Sequence, residues 1–170
     1  MFRALVSAAV LAGLCLVAAA AADPIKLELK DFKWKPKNEG NTDLGGYNEG
    51  EGKLFLYTFG TQSADVKIPE DGEYTITVEA SCDVAEKQFA KFKLTVGDVV
   101  VAKEHTLTAA DAKSYEFTAK LKKGDAKLSI EFLNDLYKEG EYDLNLYVHG
   151  VKVEPKKAGE KKEEKKEEKK

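Results

Sequence analysis

Apolar and polar residues alternate through most of the middle of this chain. The segments KLFLYTF (53–59), EYTITVEA (73–80), FAKFKLTV (89–96), SYEFTAKL (114–121), AKLSIEF (126–132) and LNLYVHGVKV (144–153) either repeat with a period of two or are rich in β-branched and aromatic residues. That is the pattern of strands with one face buried. KLEL (26–29), ADVKI (64–68) and VVVAKE (99–104) are shorter strands of the same kind. Between them lie turn signals: Pro69 with Asp71 and Gly72, Gly97 with Asp98, Gly124 with Asp125, and a Gly-rich stretch over 38–52. Helical periodicity is almost absent, and LTAADAKSY (107–115) is short enough to be a loop. Many short strands at regular spacing predict an all-β fold, an antiparallel β-sandwich.

Strand phase says which side chains face out. In AKLSIEF, Leu128, Ile130 and Phe132 share one face and Lys127, Ser129 and Glu131 the other. In the last strand Leu144, Leu146 and Val148 are expected to point inward, and Asp143, Asn145, Tyr147 and His149 outward. The apolar phase then passes to Val151 and Val153, which predicts a β-bulge at Gly150.

The two ends of the chain differ from the middle. Residues 1–22 carry a basic residue, Arg3, then an apolar run and an Ala-rich finish, the plan of a secretory signal peptide rather than a membrane span. Residues 154–170 are Lys/Glu-rich with no aromatic or large aliphatic residue, and their like charges at i,i+4 oppose a helix, so a solvated tail is predicted. The folded domain is thus expected over 23–153, large enough to bury a core unaided. Its expected setting is secreted or periplasmic. Removal of the leader would leave Cys82 as the single thiol, read as a small buried hydrophobe. The formal charge of the whole chain is −3, and both ends are net positive, so the central domain is more acidic still. Nucleic acid is therefore not an expected partner, nor is a membrane after the leader is cleaved.

The segment IEFLNDLYKEGEYDLNLYVHGVKV places Asp135, Glu139, Glu141 and Asp143 in one connection, with Asn134 and Asn145 at its margins. Calcium takes oxygen ligands at about 2.3–2.6 Å. Two carboxylates flanking a strand-to-strand loop, with strands about 4.8 Å apart, would suit such an ion. Cys and His at zinc or copper spacing are absent, and so is the twelve-residue loop of an EF-hand. A plain solvated acidic loop fits the same pattern.

Residues from about 71 to 153, with weaker agreement back to Ile25, resemble the calcium-dependent xylan-binding carbohydrate-binding modules, small jelly-roll domains of exported bacterial proteins. The segments that carry the resemblance are DGEYTITVEAS, VAEKQFAKFKLTVGDVVV and above all IEFLNDLYKEGEYDLNLYVHGVKV. What it implies is non-catalytic binding of a polysaccharide through bound calcium. Asp135 and Asp143 would supply carboxylate oxygens and Tyr142 a backbone carbonyl. Two adjacent sugar hydroxyls would fill the open positions. Tyr137 and Tyr142 would pack the sugar ring, and Asn134 and Asn145 would orient hydroxyls or the carboxylates.

Some residues depart from that family's pattern. Leu144 stands where an Arg is common. Lys30 follows Glu28 where a second Glu would help hold a further calcium, so a second ion is not expected. Trp34 is expected to pack rather than to stack on sugar, and the 38–52 stretch to be a long loop or disordered, with Tyr47 or Asn48 as an alternative rim. His105 and His149 read as isolated, and no Ser or Cys nucleophile has a recognisable base beside it. Two alternatives stay open: an exported structural or protein-interaction sandwich without a sugar site, and a glycosidase using a pair of these carboxylates.

Overall fold

The computed structural model describes residues 23–156 of the chain. The predicted leader lies outside the described residues, as does the predicted tail from residue 157 onward.

Thirteen strands follow one another among the described residues: β1 (Ile25–Leu27), β2 (Lys33–Pro36), β3 (Gly45–Asn48), β4 (Lys53–Leu56), β5 (Gly60–Ile68), β6 (Gly72–Cys82), β7 (Lys91–Val96), β8 (Val99–Thr106), β9 (Lys113–Leu121), β10 (Gly124–Phe132), β11 (Tyr137–Lys138), β12 (Tyr142–Asp143) and β13 (Leu146–Pro155). Two antiparallel sheets form a sandwich, as the alternation predicts. The first runs β3-β4-β13-β6-β9, with β1 pairing on the far half of β13; the second runs β2-β5-β10-β7-β8.

Burial follows strand phase. Leu128, Ile130 and Phe132 of β10 are buried with Val78, Ala80 and Val148 of the other sheet in one core. Removing such side chains from water is the dominant favourable contribution to folding. The register shifts between Val148 and Gly150, which is the bulge that the change of apolar phase predicts. β13 continues through Pro155, paired with Tyr74, and the Lys156 N–H donates to the Glu73 carbonyl. Cys82 is a buried free thiol; burial pushes its pKa up, and its Sγ accepts from the Ala90 N–H at 3.5 Å.

The Gly-rich stretch is ordered where a long loop or disorder was expected. β3 and β4 form a hairpin within it, and Trp34 explains why glycine is required. A Cβ on Gly45 would lie 2.4 Å from the Trp34 ring, and one on Gly60 2.2 Å from the same ring and 2.7 Å from the Lys35 carbonyl. The indole lies across both backbones and donates Nε1–H to the Asn41 carbonyl at 3.1 Å. Trp34 is therefore a packing residue, as expected, and it locks β2, β3 and β5 together at the sheet edges.

Gly60→Ala is expected to destabilise the domain by about 1–3 kcal/mol through overpacking. Gly40→Ala, with open space around the new methyl, should stay within about 0.5 kcal/mol of the parent. Urea denaturation of the two variants measures the difference.

Candidate metal and carbohydrate site

β10 and β13 sit in opposite sheets, so they do not pair, and the spacing of neighbouring strands does not set the distance between Asp135 and Asp143. A small ribbon brings them together instead. β11 pairs with β12 in the register Tyr137↔Asp143 and Lys138↔Tyr142. Gly140, at φ 73°, makes the turn, closed by Glu141 N–H to the Lys138 carbonyl and by a 2.6 Å Lys138–Glu141 ion pair. Below it Leu144 N–H donates to the Leu136 carbonyl at 2.8 Å, and the next positions in that register are Asp135 and Asn145.

Asp135 is half-buried, and its two oxygens have different surroundings. Oδ2 accepts from the Thr58 hydroxyl at 3.0 Å, whereas Oδ1 is buried with no hydrogen-bond partner. Burial raises the Asp135 pKa above the ordinary carboxylate range; the Thr58 hydroxyl works against this, and the charge of nearby Asp143 adds to it. Asp143 itself is exposed.

Asn145, expected to point outward as an exposed strand residue, is only 6% exposed. β13 begins one residue later, and Asn145 belongs to the connection before it. Its Nδ2 donates to Asp83 Oδ2 at 3.0 Å, while Oδ1 is a second buried oxygen without a partner. The Tyr147 hydroxyl donates to the same Asp83 oxygen at 2.8 Å. Burial and that bond hold the Tyr147 phenol well above its ordinary pKa.

Asn134 is committed to the backbone. Its Oδ1 accepts from Lys91 N–H at 2.6 Å and its Nδ2 donates to the Phe89 carbonyl at 3.0 Å. Asn134 thus ties the segment carrying Asp135 to the end of the loop that begins at Asp83. That loop turns through Glu86 and Lys87, both in the left-handed region at φ 51° and 60°, closed by Ala85 and Gln88. Tyr142 is half-buried against the core, and Tyr137 projects into solvent at 68% exposure.

Four residues without an assigned role in the sequence join the site: Thr58, Asp83, Tyr57 and Tyr147. Tyr57 precedes Thr58, and its exposed ring lies 4.7 Å from Phe55 and edge-on to Tyr147 at 6.2 Å. The Lys53 ammonium sits 4.1 Å over the Tyr147 ring. Strand pairing alone brings Tyr147 beside Phe55. His149 is not isolated: its Nε2 lies 2.7 Å from Ser81 Oγ across β6 and β13, and burial lowers its pKa.

Native proteins leave few buried oxygens bare. Here two, Asp135 Oδ1 and Asn145 Oδ1, accompany an exposed carboxylate on one connection. All are hard oxygen donors, the type that calcium takes. Among the described residues no group of three or more His, Cys, Asp or Glu side chains gathers as a cage. The donor chemistry suits a hard cation.

Residues 75–167 match the family model described as "Ca-dependent carbohydrate-binding module xylan-binding". No curated protein matches the chain. Several solved structures share its fold. The CBM36-1 domain of a multidomain xylanase from the hindgut metagenome of Trinervitermes trinervoides is 8% identical, with a TM-score of 0.56 over 80% of this chain and 99% of that one. A mannan binding module from Man5C, in bound conformation, is 15% identical, with a TM-score of 0.53 over 77% and 97%. A family 35 carbohydrate binding module from Clostridium thermocellum is 14% identical, with a TM-score of 0.51 over 78% and 98%.

A raised carboxyl pKa means that the metal-free folded state holds its proton to higher pH than the unfolded chain. Asp135 therefore subtracts stability as pH rises from the unfolded value toward its folded one, and that loss persists above. Asp135→Asn should remove this slope and raise the midpoint of the metal-free protein by a few degrees at pH 7, read by calorimetry from pH 4 to 8. Asn134→Ala should cost about 1–3 kcal/mol, because it leaves the Lys91 N–H and Phe89 carbonyl unpaired; thermal denaturation measures it.

Proposed function

The chain belongs to the calcium-dependent, xylan-binding carbohydrate-binding modules, and from that premise we propose that it holds a xylan-like polysaccharide through sugar hydroxyls coordinated to one calcium ion. It is a binding module, not a catalytic domain. The observation that carries the calcium reading is the pair of buried oxygens without donors, Asp135 Oδ1 and Asn145 Oδ1, beside the Asp143 carboxylate.

Asp135, Asp143 and the Asn145 amide oxygen would hold the ion, with the Tyr142 carbonyl as a further donor. Calcium supplies concentrated positive charge and exchangeable positions, which two neighbouring hydroxyls of one sugar can fill in place of water. The chain's own residues do the rest. Thr58 orients Asp135, and Asp83 orients the Asn145 amide so that its oxygen, not its NH2, is left free. Tyr137 and Tyr57 offer exposed ring faces to the apolar side of a sugar. Asn134 positions the loops and does not touch the sugar. Read with the leader, the module works outside the cytoplasm, where polymeric glycans are met.

Calcium at about 100 times its dissociation constant should stabilise the domain by about 2.7 kcal/mol, since it binds only the native state. Retardation by xylan in affinity electrophoresis should vanish with EDTA and return with calcium. Asp143→Ala should weaken xylan binding at least tenfold, whereas Glu139→Gln at the ribbon tip should leave it unchanged. Calcium that leaves the melting curve unmoved, with no xylan retention, would favour a structural or protein-interaction sandwich.

A further inference from the structure

We propose that the cavity lined by Lys35, Lys37 and Phe59 is a subsite for a sugar bearing a carboxylate, so that the preferred ligand is a uronic-acid-decorated glycan. The proposal rests on the calcium reading for the main site and names the substrate class that the site as a whole selects.

The cavity, about 330 Å³, opens between β2, the start of β5 and the end of β10. That is within the range of small-ligand sites, about 300–1,000 Å³. Its position follows from the chain. Phe59 on one wall comes directly after Thr58, and Leu133 on another lies two residues before Asp135, and Thr58 and Asp135 are hydrogen-bonded to each other. Two walls of the cavity are thus continuous along the chain with the Thr58–Asp135 pair, and a branch on a sugar held at Asp135 and Asp143 would be directed toward it.

Its chemistry is cationic in a domain that is net acidic. β2 alternates Trp34 inward with Lys33 and Lys35 outward, and Lys37 continues the same phase. Lys35 and Lys37 both line the cavity, and neither has a carboxylate within 4 Å among the described residues. Lys37 is held in place: its N–H donates to the Phe59 carbonyl at 3.0 Å, and its ammonium lies 5.3 Å over the Phe59 ring. The one carboxylate on the wall, Glu131, faces Lys93 at 3.6 Å and is offset by it. Two ammonium groups are thus left for an anion, with Lys37 held over the Phe59 ring, which stacks in turn on Phe132. Lysines on an edge strand also discourage strand pairing between molecules, but that role needs neither the recess nor the fixed Lys37.

The test is calorimetric titration of the full chain with a xylo-oligosaccharide carrying one glucuronosyl branch, and with the same compound after its carboxyl is reduced to an alcohol. Each is titrated in calcium and in EDTA, with the parent protein and with a Lys35→Gln/Lys37→Gln double variant. The expected result in calcium is at least fivefold tighter binding of the acidic compound by the parent. In the variant that preference disappears, while affinity for the reduced compound is unchanged. Equal binding of both compounds by the parent, or a preference that survives in the variant, overturns the subsite and leaves the calcium site standing. A lysine-dependent preference that persists undiminished in EDTA supports the subsite and removes the calcium reading. Binding of neither compound in calcium overturns both.

Discussion

The hydrogen bond from the Thr58 hydroxyl to Asp135 joins the chain at the end of the sandwich where it passes between sheets. Thr58 lies in the crossing from β4 to β5, and Asp135 in the crossing from β10 to β13. Because Oδ2 is occupied by that bond, the carboxylate cannot rotate freely, and its other oxygen is held at a buried position with no donor. Asp83 does the same for Asn145 from the loop after β6, taking the amide N–H so that the amide oxygen is left bare. Two neighbouring groups are thus each satisfied on one side only, by residues from two separate loops.

Such an arrangement is costly without a ligand. A buried acceptor left unpaired costs about 1–3 kcal/mol, and the raised Asp135 pKa reflects the same penalty for its charge. A cation would offset both, and the penalty in the metal-free state would then become selectivity for a partner made of positive charge. The rest of the molecule is arranged to hold this end still. Asn134 ties two loops, the bulge at Gly150 re-aims β13, and Trp34 lies against Gly45 and Gly60 to fix the edge strands.

Much of the sandwich was legible in the sequence, because period-two alternation reports which face of a strand is buried, and β-branched or aromatic runs mark strands such as β8 that do not alternate. β2 and β3 escaped notice for a physical reason. KWKP has one apolar residue, and GGYN none that reaches the core, so both owe their place to Trp34 and to backbone close approach rather than to alternation. Asp135 and Asp143 were legible as a pair of acids, but the ribbon that unites them was not, since a two-residue strand has no period to read. Asn145 was misplaced because strand phase was extended two residues before the strand begins, and the Asn134 side chain is taken up by the Lys91 N–H and the Phe89 carbonyl, contacts that no local pattern announces. Thr58 and Asp83 were invisible: side-chain contacts across 77 and 62 residues of chain leave no local trace.

The most direct test is a crystal structure of the domain grown with calcium and xylohexaose. The expected density is one ion bonded to Asp135 Oδ1, Asp143 and the Asn145 amide oxygen, with two hydroxyls of a single xylose completing its shell. A sugar seated elsewhere with no ion at this end, or an Asn145 amide turned so that its NH2 faces Asp135, would contradict the account.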